Sequence, residues 1–87
     1  MKFMEEAKFQ SPDTATCRQA WIAWDAGELK ILYVAAVADS GPIQVDVEVA
    51  QKGADGIFRR AEEFNFDEQT ADILRALRDT AKAINSP

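Results

Sequence analysis

Eighty-seven residues are enough for one hydrophobic core and too few for two, so the chain reads as a single domain over 1–87. With 47% hydrophobic and 29% charged residues it is too apolar to be intrinsically disordered. Fifteen acidic residues against ten basic ones give a net charge of -5, which repels phosphate backbones and anionic lipid surfaces and makes free nucleic acid an unfavoured partner.

The N-terminal residues lack the apolar run of a secretion signal, and no stretch approaches the roughly 18 apolar residues of a membrane span. One cysteine, Cys17, cannot form an intramolecular disulfide. A cytoplasmic location without membrane contact is the expectation.

Residues 1–9 alternate imperfectly, with Met1, Phe3, Ala7 and Phe9 set against Lys2, Glu6 and Lys8, and predict a first strand that ends at Ser11-Pro12-Asp13. Segment 12–26 is open between strand and helix. Cys17, Ala20, Trp21 and Trp24 fall at helical spacing behind a Ser11-Pro12 start. Asp25-Ala26-Gly27 instead suits a three-residue hairpin loop between arms of equal length, 14–24 and 28–38, both rich in β-branched and aromatic residues. The hairpin is favoured.

A turn at Ala38-Asp39-Ser40-Gly41-Pro42 leads into Ile43-Gln44-Val45-Asp46-Val47-Glu48-Val49, a strict alternation that predicts a half-buried strand. Gly53-Ala54-Asp55-Gly56 then turns into a last strand, Ile57 to Phe66, with Phe58, Phe64 and Phe66 in one phase beside Arg60 and Glu62. Residues 67–85 predict a helix. Asp67 can cap it, or Asn65 and Glu68 as a capping box, and Ile73, Leu74, Leu77, Ala81 and Ile84 form its apolar stripe. Short turns favour pairing of successive strands. The expected fold is therefore α+β, an antiparallel β-meander of four to five strands with a C-terminal amphipathic helix packed on one face.

The chain contains no histidine, which removes the commonest general base and the Ser-His and Cys-His nucleophile systems. Nothing in the sequence supplies a base for Cys17, so a bystander thiol is expected. Glu5-Glu6 and Glu62-Glu63 are adjacent, and in strands such neighbours point to opposite faces. Asp46 and Glu48 do share a face, which leaves a small carboxylate-dependent enzyme as an alternative. The main expectation is a protein with no catalytic residues, no metal and no cofactor.

A single helix covers one sheet face, and the other face is then left for binding. Cys17, Trp21, Ala23, Leu29, Ile31, Tyr33 and Val37 share the phase assigned to the core. Ile22, Trp24, Leu32 and Val34 fall in the opposite phase, as an apolar surface for a homodimer or a protein partner unless residues 1–10 or a bent sheet cover it. Asp46, Glu48 and Glu62 are expected to form an acidic surface that meets a basic site, for instance on a nucleic-acid-binding effector.

Small, acidic and without catalytic apparatus, the chain resembles in type the phage- or plasmid-encoded inhibitors of bacterial nucleic-acid-targeting defence, including the anti-CRISPR class. That class shares no sequence motif. A meander followed by a helix entered through Phe64-Asn65-Phe66-Asp67-Glu68-Gln69 also resembles, over about half the chain, single-stranded nucleic-acid-binding modules of the PC4 coactivator type. That resemblance implies basic strand faces with aromatic platforms. The alternating strand here carries Asp46 and Glu48 instead, and only Arg59, Arg60, Lys30 and Lys52 are available for a basic patch.

Overall fold

Successive strands pair as their short turns require, and a sheet results whose two ends are then joined by one short segment. The structure is a computed structural model that describes residues 4–12, 16–37 and 41–86, with all their side chains except those of 16–18. Expectations for Met1, Phe3, Asp13, the 38–40 turn and the Cys17 thiol lie outside the described residues. The elements are β1 (Glu5–Ala7), β2 (Phe9–Gln10), β3 (Thr16–Ala26), β4 (Leu29–Val37), β5 (Ile43–Lys52), β6 (Phe58–Arg60) and α1 (Glu68–Asn85). The class is α+β, and β3 to β6 form an antiparallel meander.

Segment 16–26 is a strand, and its turn is tighter than the three-residue loop expected. Ala26 pairs with Leu29, so the loop is Gly27-Glu28 alone. Gly27 has φ 94, the positive value that the first position of a two-residue hairpin loop demands. Asp25 stays in the strand, where its carboxylate accepts the Gly27 N–H at 2.9 Å and a proton of Lys30 Nζ at 2.8 Å.

Sheet order is β1-β3-β4-β5-β6-β2. The segment expected as one strand is thus split between opposite edges: β1 runs antiparallel to β3, with Ala7 opposite Ala20, and β2 runs parallel to β6, with Phe9 opposite Phe58. Lys8 is the single residue between them, and its carbonyl accepts the Phe58 N–H at 2.8 Å. The sheet therefore closes on itself as a small barrel.

Phe9, Ala20, Leu32, Val34, Ala36, Ala50 and Phe58 fill its interior, with Ala7 and Ile22 packed against them. The mixture of alanines with large side chains suits the interior of so narrow a barrel. On the outside α1 lies against β5, where Ile31, Val49 and Leu74 are buried with Leu29, Val47, Phe66 and Leu77 around them.

The inner face of the sheet is thus closed in and α1 covers the outer face over β5, and one expectation falls. Leu32 is 0% exposed and Val34 2%, so neither belongs to an outer apolar surface. Curvature and the closing β1–β2 segment bury them. A register slip between Ile22 and Trp24 separates the other two: Ile22 lies opposite Leu32, and Trp24 lies opposite Ile31.

The expected strand from Ile57 to Phe66 is also shorter, because only Phe58–Arg60 pair with β5. After a last bond from the Ala61 N–H to the Val49 carbonyl, the chain crosses to the helix side. Phe58 is then inside the barrel, Phe66 packs against the helix cluster, and Phe64, 41% exposed, rests on Phe66 with ring centroids 4.8 Å apart.

The helix begins at Asp67, whose carboxylate accepts the Thr70 N–H at 2.8 Å, so the Asn65–Glu68 alternative is not used. Ser86 closes it by donating its N–H and its hydroxyl to the Lys82 carbonyl. Leu74 and Ala81 are the buried members of the apolar stripe, and Ile84 is exposed.

Candidate functional site

The β5–β6 turn and the edge of β2 bring most of the predicted charged residues together. Glu48 faces the same side of the sheet as its cross-strand neighbour Leu32, and Arg60 lies opposite Ala50 two residues along β5. That register lets the guanidinium close on the carboxylate through two bonds, Nε to Oε1 at 2.8 Å and Nη2 to Oε2 at 2.6 Å. Such a fork holds the charge tightly, and only 15% of the Glu48 side chain is exposed.

Arg59 points the other way. It donates to both Asp55 oxygens, at 3.2 and 2.9 Å, and through Nε to Gln10 Oε1 at 3.0 Å, tying the turn to β2. Gly53 leaves the space for this pair: a Cβ there would stand 2.8 Å from Arg59 Nη1 and from Asp55 Oδ1.

Asp55 also accepts the Ile57 N–H, at 3.1 Å. With the Arg59 guanidinium as the larger cause and that N–H as the second, its carboxyl is lowered to about 2. A carboxyl whose folded value is depressed stabilises the fold above its unfolded value, near pH 4, and loses that contribution as pH falls through about 2. The expected result is that the urea midpoint of Asp55→Asn changes less between pH 4 and pH 2 than that of the unmodified chain. Identical profiles would show that the Asp55–Arg59 pair contributes nothing to stability.

Gln10, Ser11, Pro12, Arg59, Arg60 and Glu62 line an open cleft of about 470 Å³ beside these pairs. Glu62 therefore shares this cleft with Arg60, Asp46 lines a separate groove with Arg78 and Lys82, and the three predicted acids are not equivalent. Glu48 is neutralised by Arg60. Asp46 and Glu62 are exposed and make no ion pair among the described residues.

The alternative basic patch is similarly engaged: Arg59 is held by Asp55, Arg60 by Glu48 and Lys30 by Asp25 at 2.8 Å. Lys52 is the one member without an ion pair among the described residues. No three acidic or thiol groups among the described residues gather as a metal-binding cluster.

Of the predicted apolar surface only Trp24 is exposed, at 42%; Ile22 is half-buried against the barrel interior. Trp24 stands on the helix side of the sheet, the side that also carries the half-buried cross-strand pair Trp21 and Tyr33. Their phase predicts core positions, but the helix does not reach far enough across β3 to bury them fully. Comparisons with protein-family models, curated proteins and solved structures return no match.

Proposed function

We propose that the chain is a non-enzymatic protein-binding module that acts by stoichiometric attachment to a basic surface of another protein. A nucleic-acid-binding effector is the partner class that fits best, as for a phage- or plasmid-encoded inhibitor of a bacterial defence system of the anti-CRISPR kind. One observation supports it above the rest. Arg59, Arg60 and Lys30 are each held by a carboxylate of the same chain, while Asp46 and Glu62 stand exposed without one among the described residues. Together with the net charge of -5, the exposed Asp46 and Glu62 favour a cationic protein surface and oppose phosphate.

The test is capture from nuclease-treated bacterial lysate on immobilised chain, repeated with the double substitution Asp46→Lys and Glu62→Lys. A partner of this class elutes with rising salt and is held at least about tenfold more weakly by the double variant, whose circular dichroism stays unchanged. Equal retention of the same partner by both chains would remove the acidic surface from the proposal. Low-salt binding of a labelled single-stranded oligonucleotide to the unmodified chain would replace the proposal with the nucleic-acid alternative.

A further inference from the structure

β5 is ten residues long, and β6 covers only its last three, Ala50–Lys52, with one more bond from Ala61 to Val49. From Ile43 to Glu48 no strand lies on that side of β5 among the described residues. In a strand the N–H and C=O of alternate residues point to the same side. Val45 and Val49 make their bonds to Asn85 and Ala61 on the β6 side, so the backbone groups of Ile43 and Val47 point there too.

At Val45 the missing neighbour is imitated. The Asn85 side chain, from the last residue of α1, accepts the Val45 N–H at 2.8 Å and donates Nδ2 to the Val45 carbonyl at 2.8 Å. A primary amide offers the donor and the acceptor of one peptide unit, which is what an adjoining strand would present at this place.

The edge is flanked by charges of opposite sign. Asp46 lies opposite Val34 on the side of the sheet away from α1. Arg78 and Lys82 line a groove of about 160 Å³ on the helix side, together with Ala81, Asn85 and the Val45–Val47 stretch of β5, Asp46 included. Neither cation is in an ion pair among the described residues.

We propose that the β5 edge from Ile43 to Val47 is a site of strand addition, which takes an extended peptide in place of the Asn85 amide. Cationic side chains of that peptide lie at alternate positions beside Asp46, and acidic ones lie at the intervening positions beside Arg78 and Lys82. Backbone bonds to the edge supply affinity, and the alternation of side chains supplies register. A second copy of the chain fits less well, because it would bring a second Arg78 and Lys82 to the same groove. The site rests on the protein-binding reading only in that its ligand is a polypeptide, and a ligand without net charge separates the two.

The probe is acetyl-Lys-Glu-Lys-Glu-Lys-Glu-amide, titrated into the ¹⁵N-labelled chain and into Asn85→Ala. Amide shifts centred on Ile43–Val47 are expected in both, with binding about tenfold tighter to Asn85→Ala because the competing amide is gone. A peptide of three lysines followed by three glutamates should bind at least tenfold more weakly, as should the alternating peptide to a variant carrying Arg78→Glu and Lys82→Glu.

Absence of shifts at millimolar peptide, equal binding of the block-order peptide, or no gain from Asn85→Ala would each overturn the site. Light scattering that finds Asn85→Ala dimeric and closed to the peptide would assign the edge to a second copy instead. Because Asp46 belongs to this edge, the lysate capture is repeated with Glu62→Lys alone, which leaves the β5 edge unchanged, so failure of the acidic surface is read separately from failure of the strand-addition site.

Discussion

Phe58→Ala is expected to lower the free energy of unfolding by about 3–5 kcal/mol, the range for deleting a buried phenylalanine ring. Phe58 is 5% exposed in the barrel interior, and its backbone is where the barrel closes, paired with Lys52 on one side and Phe9 on the other. Removing the ring takes apolar surface from Phe9, Ala50 and Leu32 together, and a barrel lined with alanines has little freedom to collapse into the gap. A domain of this size holds roughly 0.05–0.15 kcal/mol per residue, so the loss is a large share of the total. Urea unfolding measures it, with Phe64→Ala as the comparison, since that ring is largely outside the core. A cost below about 1 kcal/mol for Phe58→Ala would mean that the ring does not sit in a packed interior.

Leu74→Ala is expected to cost about 2–5 kcal/mol by the same measurement, and Leu77→Ala clearly less. The stripe on α1 treats the two as equals, but Leu74 is 5% exposed between Ile31 and Val49 whereas Leu77 is half-buried at the margin of that cluster. The order of the two losses reports how α1 is rotated on the sheet. A larger loss at Leu77 would require the helix to be turned so that Leu77 takes the central position. The midpoint alone should move in both variants, because the surface exposed on unfolding is nearly unchanged.

Local pattern was sufficient for the parts of this fold that depend on local physics. Strict alternation in β5 places Val47 and Val49 toward the helix and Asp46 away from it, as expected, and the Asp67 cap with its following stripe marks α1 within one residue. Closure was not legible, because β1 and β2 hold three and two residues and gain their meaning from partners on opposite edges of the sheet.

A signal for it did exist in β4. Ile31-Leu32-Tyr33-Val34-Ala35-Ala36-Val37 is apolar in both phases, and a strand apolar in both phases is buried on both faces. Neither phase of β4 is a surface, which is why Leu32 and Val34 lie in the barrel interior and not on an outer patch. The acidic site was half legible for a related reason. Alternation shows that Asp46 and Glu48 share a face, but only the β5–β6 register shows that Arg60 reaches Glu48 and neutralises it.

The single residue that links β1 to β2 also sets an order of events during synthesis. Gln10 and Arg59, which meet across the closure, are 49 residues apart in the chain. At about 5–20 residues per second, the segment that seals the barrel waits several seconds on the ribosome for its second partner. Through that interval the β3–β4 hairpin can form, since its contacts are local, but the side of it that bears Leu32 and Val34 has no lid. The nascent chain thus shows its stickiest surface before the residues that hide it have been made, and the -5 charge of the whole is what keeps neighbouring chains apart once they leave.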